Sequence, residues 1–157
     1  MIAFLTSSPA VGQDHTHLNP ANGLVSELEK VLPRPARGLF VCSDPDDFAF
    51  TDRFAGEMFT AFENAGFPVP LRSVLDHRNP EMAAELVKAA DLIILAGGPT
   101  LAQNRFFAEV RLREAMADFG GVVLGISAGT MNSAETVYVQ PELPGETRPE
   151  HPRFLPG

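Results

Sequence analysis

Two stretches of the chain, DLIILAGG (91–98) and GGVVLGIS (120–127), are apolar with no polar alternation. A strand with one wet face alternates apolar and polar side chains, so an unbroken run must be covered on both faces. Parallel sheets meet that need, because their strands are joined by long crossovers and helices in those crossovers cover the sheet. The rest of the chain has the matching rhythm. Residues 2–5 form a short apolar run ending in TSSP, and RGLFVC (37–42) reads as a second buried strand. FPVPLRSVL (67–75) is a third, which its prolines place near a sheet edge or make start late.

Helical patterns fill the gaps. Pro20 opens one with Leu24, Leu28 and Val31 or Leu32 at helical spacing, and LPRP stops it. SDPDD (43–47) is a helix-start cluster, and the helix after it carries Phe54, Met58, Phe59 and Phe62 on one face before ending at Ala65-Gly66. Further helices are predicted over 80–90, over 101–118 and directly after Ser127. The β-α alternation predicts an α/β fold of three layers, a mostly parallel sheet flanked by helices, in a single domain over residues 1–157. In such folds the site lies outside the carboxyl ends of the strands. That edge carries the loops at 7–20, 42–47, 76–79 and 97–100, and Ser127.

Composition narrows the function classes. A net charge of −8 argues against a nucleic-acid or anionic-membrane partner, since both need a basic surface. No apolar stretch approaches the roughly 18 residues that span a bilayer. The opening MIAFLTSSP lacks the basic region of a signal peptide, which makes cytoplasmic residence the default expectation. The single cysteine, Cys42, excludes an internal disulfide and a cysteine-rich metal site; its place at the end of an apolar run reads as core packing rather than as a reactive thiol. Phosphate-loop, dinucleotide-binding and H-E-x-x-H patterns are absent, so no cofactor and no metal are expected. His15-Thr16-His17 could ligate a metal, but two loop histidines without paired carboxylates read more simply as solvated.

The chemistry-bearing motif is Gly125-Ile126-Ser127-Ala128-Gly129, which fits G-x-S-x-G and lies between a buried strand and a helix. A serine in a sharp turn there projects its hydroxyl above the sheet, and small neighbours leave room for the turn. Ala128, at the start of a helix, has a backbone N–H free to meet an oxyanion. Gly97-Gly98 ends the preceding strand and offers a second donor. The competing reading is a tight strand–helix junction that needs small residues and nothing more.

LTSSP (5–9), LNPANG (18–23), LIILAGGPT (92–100) and GISAGTMNSA (125–134) together resemble the serine peptidase family of aspartyl dipeptidase (peptidase E) and cyanophycinase, whose fold is similar to that of class I glutamine amidotransferases. The resemblance covers nearly the whole chain. It implies a hydrolase in which Ser127 is the nucleophile, the Gly98 and Ala128 amides form the oxyanion hole, and a small peptide, with an acidic N-terminal residue, is cleaved. The family reads G-G-N-T where this chain has Gly97-Gly98-Pro99-Thr100. Pro99 removes one donor, and the role of the family's asparagine lapses with it.

The base is the open position. In the family the catalytic histidine follows the serine by more residues than this chain has after Ser127, so the chain reads as the N-terminal part of a longer member. His151, in PEHPRF, is the only downstream histidine; His15, His17 and His77 lie in loops at the correct sheet edge. Glu142 lies where an acidic third member is expected, against the simpler reading of a solvated glutamate, and Glu135 is placed on the helix after the serine with a surface role. An acidic substrate needs a cation, and Arg72, Arg78 and Arg105 are each near a loop. A sheet lacking its last strands would leave apolar surface uncovered and favour a homodimer. The alternative function is a catalytically inactive, truncated or degenerate α/β domain with a binding or interaction role. A third, an amidotransferase-like domain with serine in the cysteine's place, finds no histidine–glutamate pair to support it.

Overall fold

The structure, a computed structural model, describes residues 1–139 and 153–157. Five parallel strands make the central sheet: β1 (Ile2–Thr6), β4 (Arg37–Val41), β5 (Leu71–Leu75), β6 (Leu92–Leu95) and β7 (Val122–Ile126). Their order across the sheet is β1-β7-β6-β4-β5, with Thr6 opposite Ile126, Leu95 opposite Gly125 and Val41 opposite Leu95 at the carboxyl edge. This is the three-layer α/β architecture that the sequence predicts.

The unbroken apolar runs divide by the two-residue period of a strand. Leu92, Ile94, Val122, Leu124, Ile126 and Phe40 face one cluster, built on α1 (Leu24–Val31) and α2 (Phe48–Asn64). Ile93, Leu95, Val123, Leu39 and Val41 face the other, built on α3 (Ala83–Ala89), α4 (Thr100–Glu109) and α5 (Leu112–Ala115). Each helix follows local rules. Asp47 caps α2 by accepting the Phe50 N–H at 3.0 Å. The helix closes where Phe67 N–H donates to Phe62 carbonyl at 2.9 Å and Gly66 N–H to Glu63 carbonyl at 2.9 Å. Met58, Phe59 and Phe62 of α2 are fully buried.

Four details differ from the sequence expectation. The helix expected over 101–118 breaks at Arg111, which takes a left-handed φ of 53°. Phe106 and Leu112 are both buried in the same cluster. Six residues apart on a continuous helix they would point about 120° away from each other, and the break turns both inward. The loop at 10–23 contains a small antiparallel hairpin, β2 (Ala10–Val11) with β3 (His17–Leu18), too short to leave a periodic signal. The helix from Pro20 begins as a short 3-10 turn at Ala21–Gly23. After Ser127 the helix α6 is only Ala128–Met131, and the chain turns into β8 (Thr136–Val139), which pairs antiparallel with β9 (Arg153–Pro156). Glu135 therefore sits in a bend before β8, exposed, and not on a helix.

The two edges of the sheet are unlike. β5 is the proline-flanked edge expected from its sequence. β1 is the other, and Met1, Ile2 and Leu5 are 65%, 46% and 58% exposed. A cavity of about 1000 Å³ lies along the inner face of that edge, between Ala3, Leu5, Val123, Phe107, Leu112 and Met116. No helix of the described residues is long and apolar enough to cross a membrane.

Candidate active site

Ser127 stands directly beyond the last residue of β7 with φ 46° and ψ −104°, a conformation L side chains rarely adopt. Serine at a helix start ordinarily turns its hydroxyl back to cap the first turn. Ser127 makes no such cap bond and is exposed, so the hydroxyl stands above the sheet with its lone pairs uncommitted to the helix. The helix behind it is held by Met131 N–H donating to Ser127 carbonyl at 3.0 Å.

The strained turn is clamped from β1. Ser127 N–H donates to Thr6 carbonyl at 2.9 Å, Thr6 Oγ1 donates to Gly125 carbonyl at 2.8 Å, and Thr130 Oγ1 donates to Thr6 carbonyl at 2.8 Å while accepting Thr6 N–H at 3.1 Å. The glycines of the motif have steric reasons. A methyl group on Gly125 would stand 2.9 Å from Thr130 Oγ1, and one on Gly129 would overlap the Leu95 carbonyl oxygen. Neither neighbour is a flexible side-chain end that could move aside.

Gly97 and Gly98 follow β6, the strand beside β7. A methyl group on Gly97 would stand 3.5 Å from Ser127 Cβ, which puts this loop in contact with the serine. Gly98 has φ 150° and is exposed. The geometry thus brings together three of the residues that the motifs singled out, Ser127, Gly98 and Ala128. The first N–H groups of α6 have no intrahelical acceptor, and Ala128 supplies the one next to the serine.

A buried amide network ties these loops to one another. Gln103, fully buried on α4, donates from Nε2 to Ala96 carbonyl at 2.8 Å and to Cys42 carbonyl at 3.2 Å. Its Oε1 accepts from Asn132 Nδ2 at 3.0 Å, and Asn132 also donates to Thr100 carbonyl at 3.1 Å. One side chain therefore joins the ends of β4 and β6 to the end of α6. Gln103, Asn132, Thr6 and Thr130 are absent from the sequence-based site. The signal for Gln103 was its place on the face shared by Thr100 and Phe106, a polar residue on a buried stripe. Cys42 is buried in the core, and burial pushes its thiol pKa up, as the packing reading expects.

The remaining candidates lie elsewhere. His77 follows β5, three strand spacings from β7, about 14 Å at the usual separation. Its Nδ1 meets Asp46 Oδ1 at 2.8 Å and its Nε2 meets Glu109 Oε2 at 3.3 Å, so both nitrogens are engaged. Those carboxylates, Asp46 foremost, raise its pKa against the opposing effect of desolvation. His15 packs on α2, 3.5 Å from Glu57 and edge-on to Phe54, and His17 in β3 meets Thr16 Oγ1 at 3.2 Å. None of the three is hydrogen-bonded to Ser127. His151 and Glu142 lie outside the described residues.

Arg72 is paired with Glu63 and stacked over Phe59. Arg78 is held by Asp52 and the buried Asp76, which raise its pKa above the ordinary arginine value. Of the three arginines weighed for an acidic substrate, only Arg105 has no carboxylate partner among the described residues. No group of His, Cys, Asp and Glu suited to a metal occurs among the described residues. No protein-family model matches this sequence and no curated protein matches it, so the peptidase resemblance stands on its motifs.

Proposed function

We propose that this protein is a serine hydrolase of the dipeptidase kind, acting through an acyl-enzyme on Ser127. The observation that carries the reading is the backbone of Ser127, held in a strained left-handed turn with its hydroxyl exposed and uncapped beside Gly97 and Gly98. A serine that served only packing would have no need of such a turn, whose strain costs on the order of 1–3 kcal/mol.

In this reading Ser127 Oγ attacks a substrate carbonyl and passes its proton to a histidine. The developing oxyanion accepts from the Gly98 and Ala128 amides. Collapse of the tetrahedral intermediate breaks the C–N bond, and the amine leaves with the proton from that histidine. Water then hydrolyses the ester by the reverse proton path. His151 is the histidine left for this role and Glu142 the acidic third member, since the other three histidines are bonded to other residues. A short peptide remains the proposed substrate. For an N-terminal acidic residue, Arg105 is the arginine still available.

One observation favours a second reading, an inactive domain with a binding role: no histidine of the described residues is hydrogen-bonded to Ser127. A fluorophosphonate probe separates the two. The first reading expects covalent labelling at Ser127, lost in Ser127→Ala. Absence of labelling in the wild-type chain, with the fold intact by circular dichroism, would refute it.

A further inference from the structure

Ser43 Oγ is the only buried side-chain nitrogen or oxygen among the described residues without a hydrogen-bond partner. The residue is 1% exposed. A hydroxyl carries one donor and two acceptor sites, and an orphan of this kind in a native fold calls for an explanation.

Its position supplies one. Ser43 follows β4, the neighbour of β6, and β6 leads into Gly97 and Gly98. A methyl group on Gly98 would overlap Ser43 Oγ and stand 2.8 Å from Ser43 Cβ. On the other side, a methyl group on Gly97 would stand 3.1 Å from Ile126 Cγ2 and 3.5 Å from Ser127 Cβ. The Gly97–Gly98 peptide is therefore wedged between an unpaired hydroxyl from β4 and the serine beyond β7. No described residue donates a backbone hydrogen bond to the carbonyls of Gly97 or Gly98. A donor without an acceptor thus lies against a loop whose carbonyls accept no backbone N–H.

We propose that Ser43 is a positioning residue of the oxyanion hole, its hydroxyl donating to the Gly97 carbonyl as the loop closes on the tetrahedral intermediate. The role rests on the reading of Ser127 as nucleophile. The Gly97 carbonyl and the Gly98 N–H belong to one peptide group, so a donor on the carbonyl strengthens the N–H as it turns to the oxyanion. The bond is absent at rest and made in the transition state, and an interaction of that kind lowers the barrier rather than tightening ground-state binding. The resting fold carries the unpaired hydroxyl as its cost.

The test compares wild type, Ser43→Ala and Ser43→Cys by the second-order rate of fluorophosphonate labelling and by melting temperature. Alanine removes the donor; cysteine keeps the volume with a poor donor. Both variants are expected to label at least about tenfold more slowly, and Ser43→Ala to melt about 2–4 °C higher because the orphan is gone. If wild type labels and Ser43→Ala labels equally fast, the Ser43 role is overturned and the nucleophile stands. If Ser43→Ala melts no higher than wild type, the hydroxyl is already bonded at rest, which also overturns the role. Wild type inert at Ser127 refutes the nucleophile and the Ser43 role together.

Discussion

Replacing Gln103 by leucine probes the link between the fold and the site. Gln103 is fully buried, and its amide makes three hydrogen bonds, to Ala96 and Cys42 carbonyls and from Asn132, at 2.8, 3.2 and 3.0 Å. Leucine matches the shape, removes all three bonds and takes the donor from the Ala96 and Cys42 carbonyls. Each lost bond costs about 1 kcal/mol net, and a buried group left unpaired about 1–3 kcal/mol. Asn132 keeps its bond to Thr100 carbonyl, and added apolar burial offsets about 1 kcal/mol. The net loss is about 3 kcal/mol, which for a chain of 157 residues lowers the melting temperature by about 6–12 °C. Chemical denaturation should show the loss as a lower midpoint with an unchanged slope. Because the network spans the ends of β4, β6 and α6, labelling of Ser127 should slow in the folded variant as well. A loss below about 1 kcal/mol would refute the claim that this amide is the tie between those loops.

Other substitutions test neighbouring parts of the same account. Gly129→Ala forces a methyl group against the Leu95 carbonyl and should cost about 1–3 kcal/mol in urea unfolding; a neutral result would mean the turn at Ser127 is looser than its contacts show. Thr130→Val keeps the shape but removes both bonds to Thr6, so labelling of Ser127 should fall by more than the stability loss of about 1–2 kcal/mol accounts for. Met58→Ala, at a fully buried position, should cost about 2–5 kcal/mol with the labelling rate of the folded protein unchanged. The raised pKa of His77, due first to Asp46, makes its contribution to stability complete below the ordinary value near 6.5 and lost as pH rises through the raised one. A profile of melting temperature against pH should flatten there in His77→Gln, and an unaltered profile would count against the paired geometry.

Much of the architecture was legible in the chain. LIIL and VVLGI are apolar at every position because alternate residues face two different helical layers, and that pattern suits only a doubly covered parallel sheet. The cap at Asp47 and the close at Ala65-Gly66 bounded α2 for equally local reasons. The break at Arg111 was not legible, since only the shared burial of Phe106 and Leu112 demands it. Nor was the β2–β3 hairpin, whose strands are two residues each.

The site divides in the same way. G-x-S-x-G and the Gly97-Gly98 pair marked Ser127 and the loop beside it, because the space such a turn leaves must be occupied by small residues that follow one another in sequence. The histidines could not be sorted that way. His15 and His17, expected in a loop at the carboxyl edge, pack along α2, where Asn64 at the end of the helix donates to Thr16 carbonyl, and strand order alone puts His77 three strands from the serine. Thr6 and Thr130, 124 residues apart, hold the turn at Ser127 together, and Gln103 reaches Cys42 across 61. Sequence by itself determined the layers, the turn and the serine, since these follow from side-chain period and steric room along one stretch of chain. Which groups brace that serine, and which are spent on carboxylates elsewhere, was decided only when the strands took their order β1-β7-β6-β4-β5, because that order sets distances between residues the chain keeps far apart.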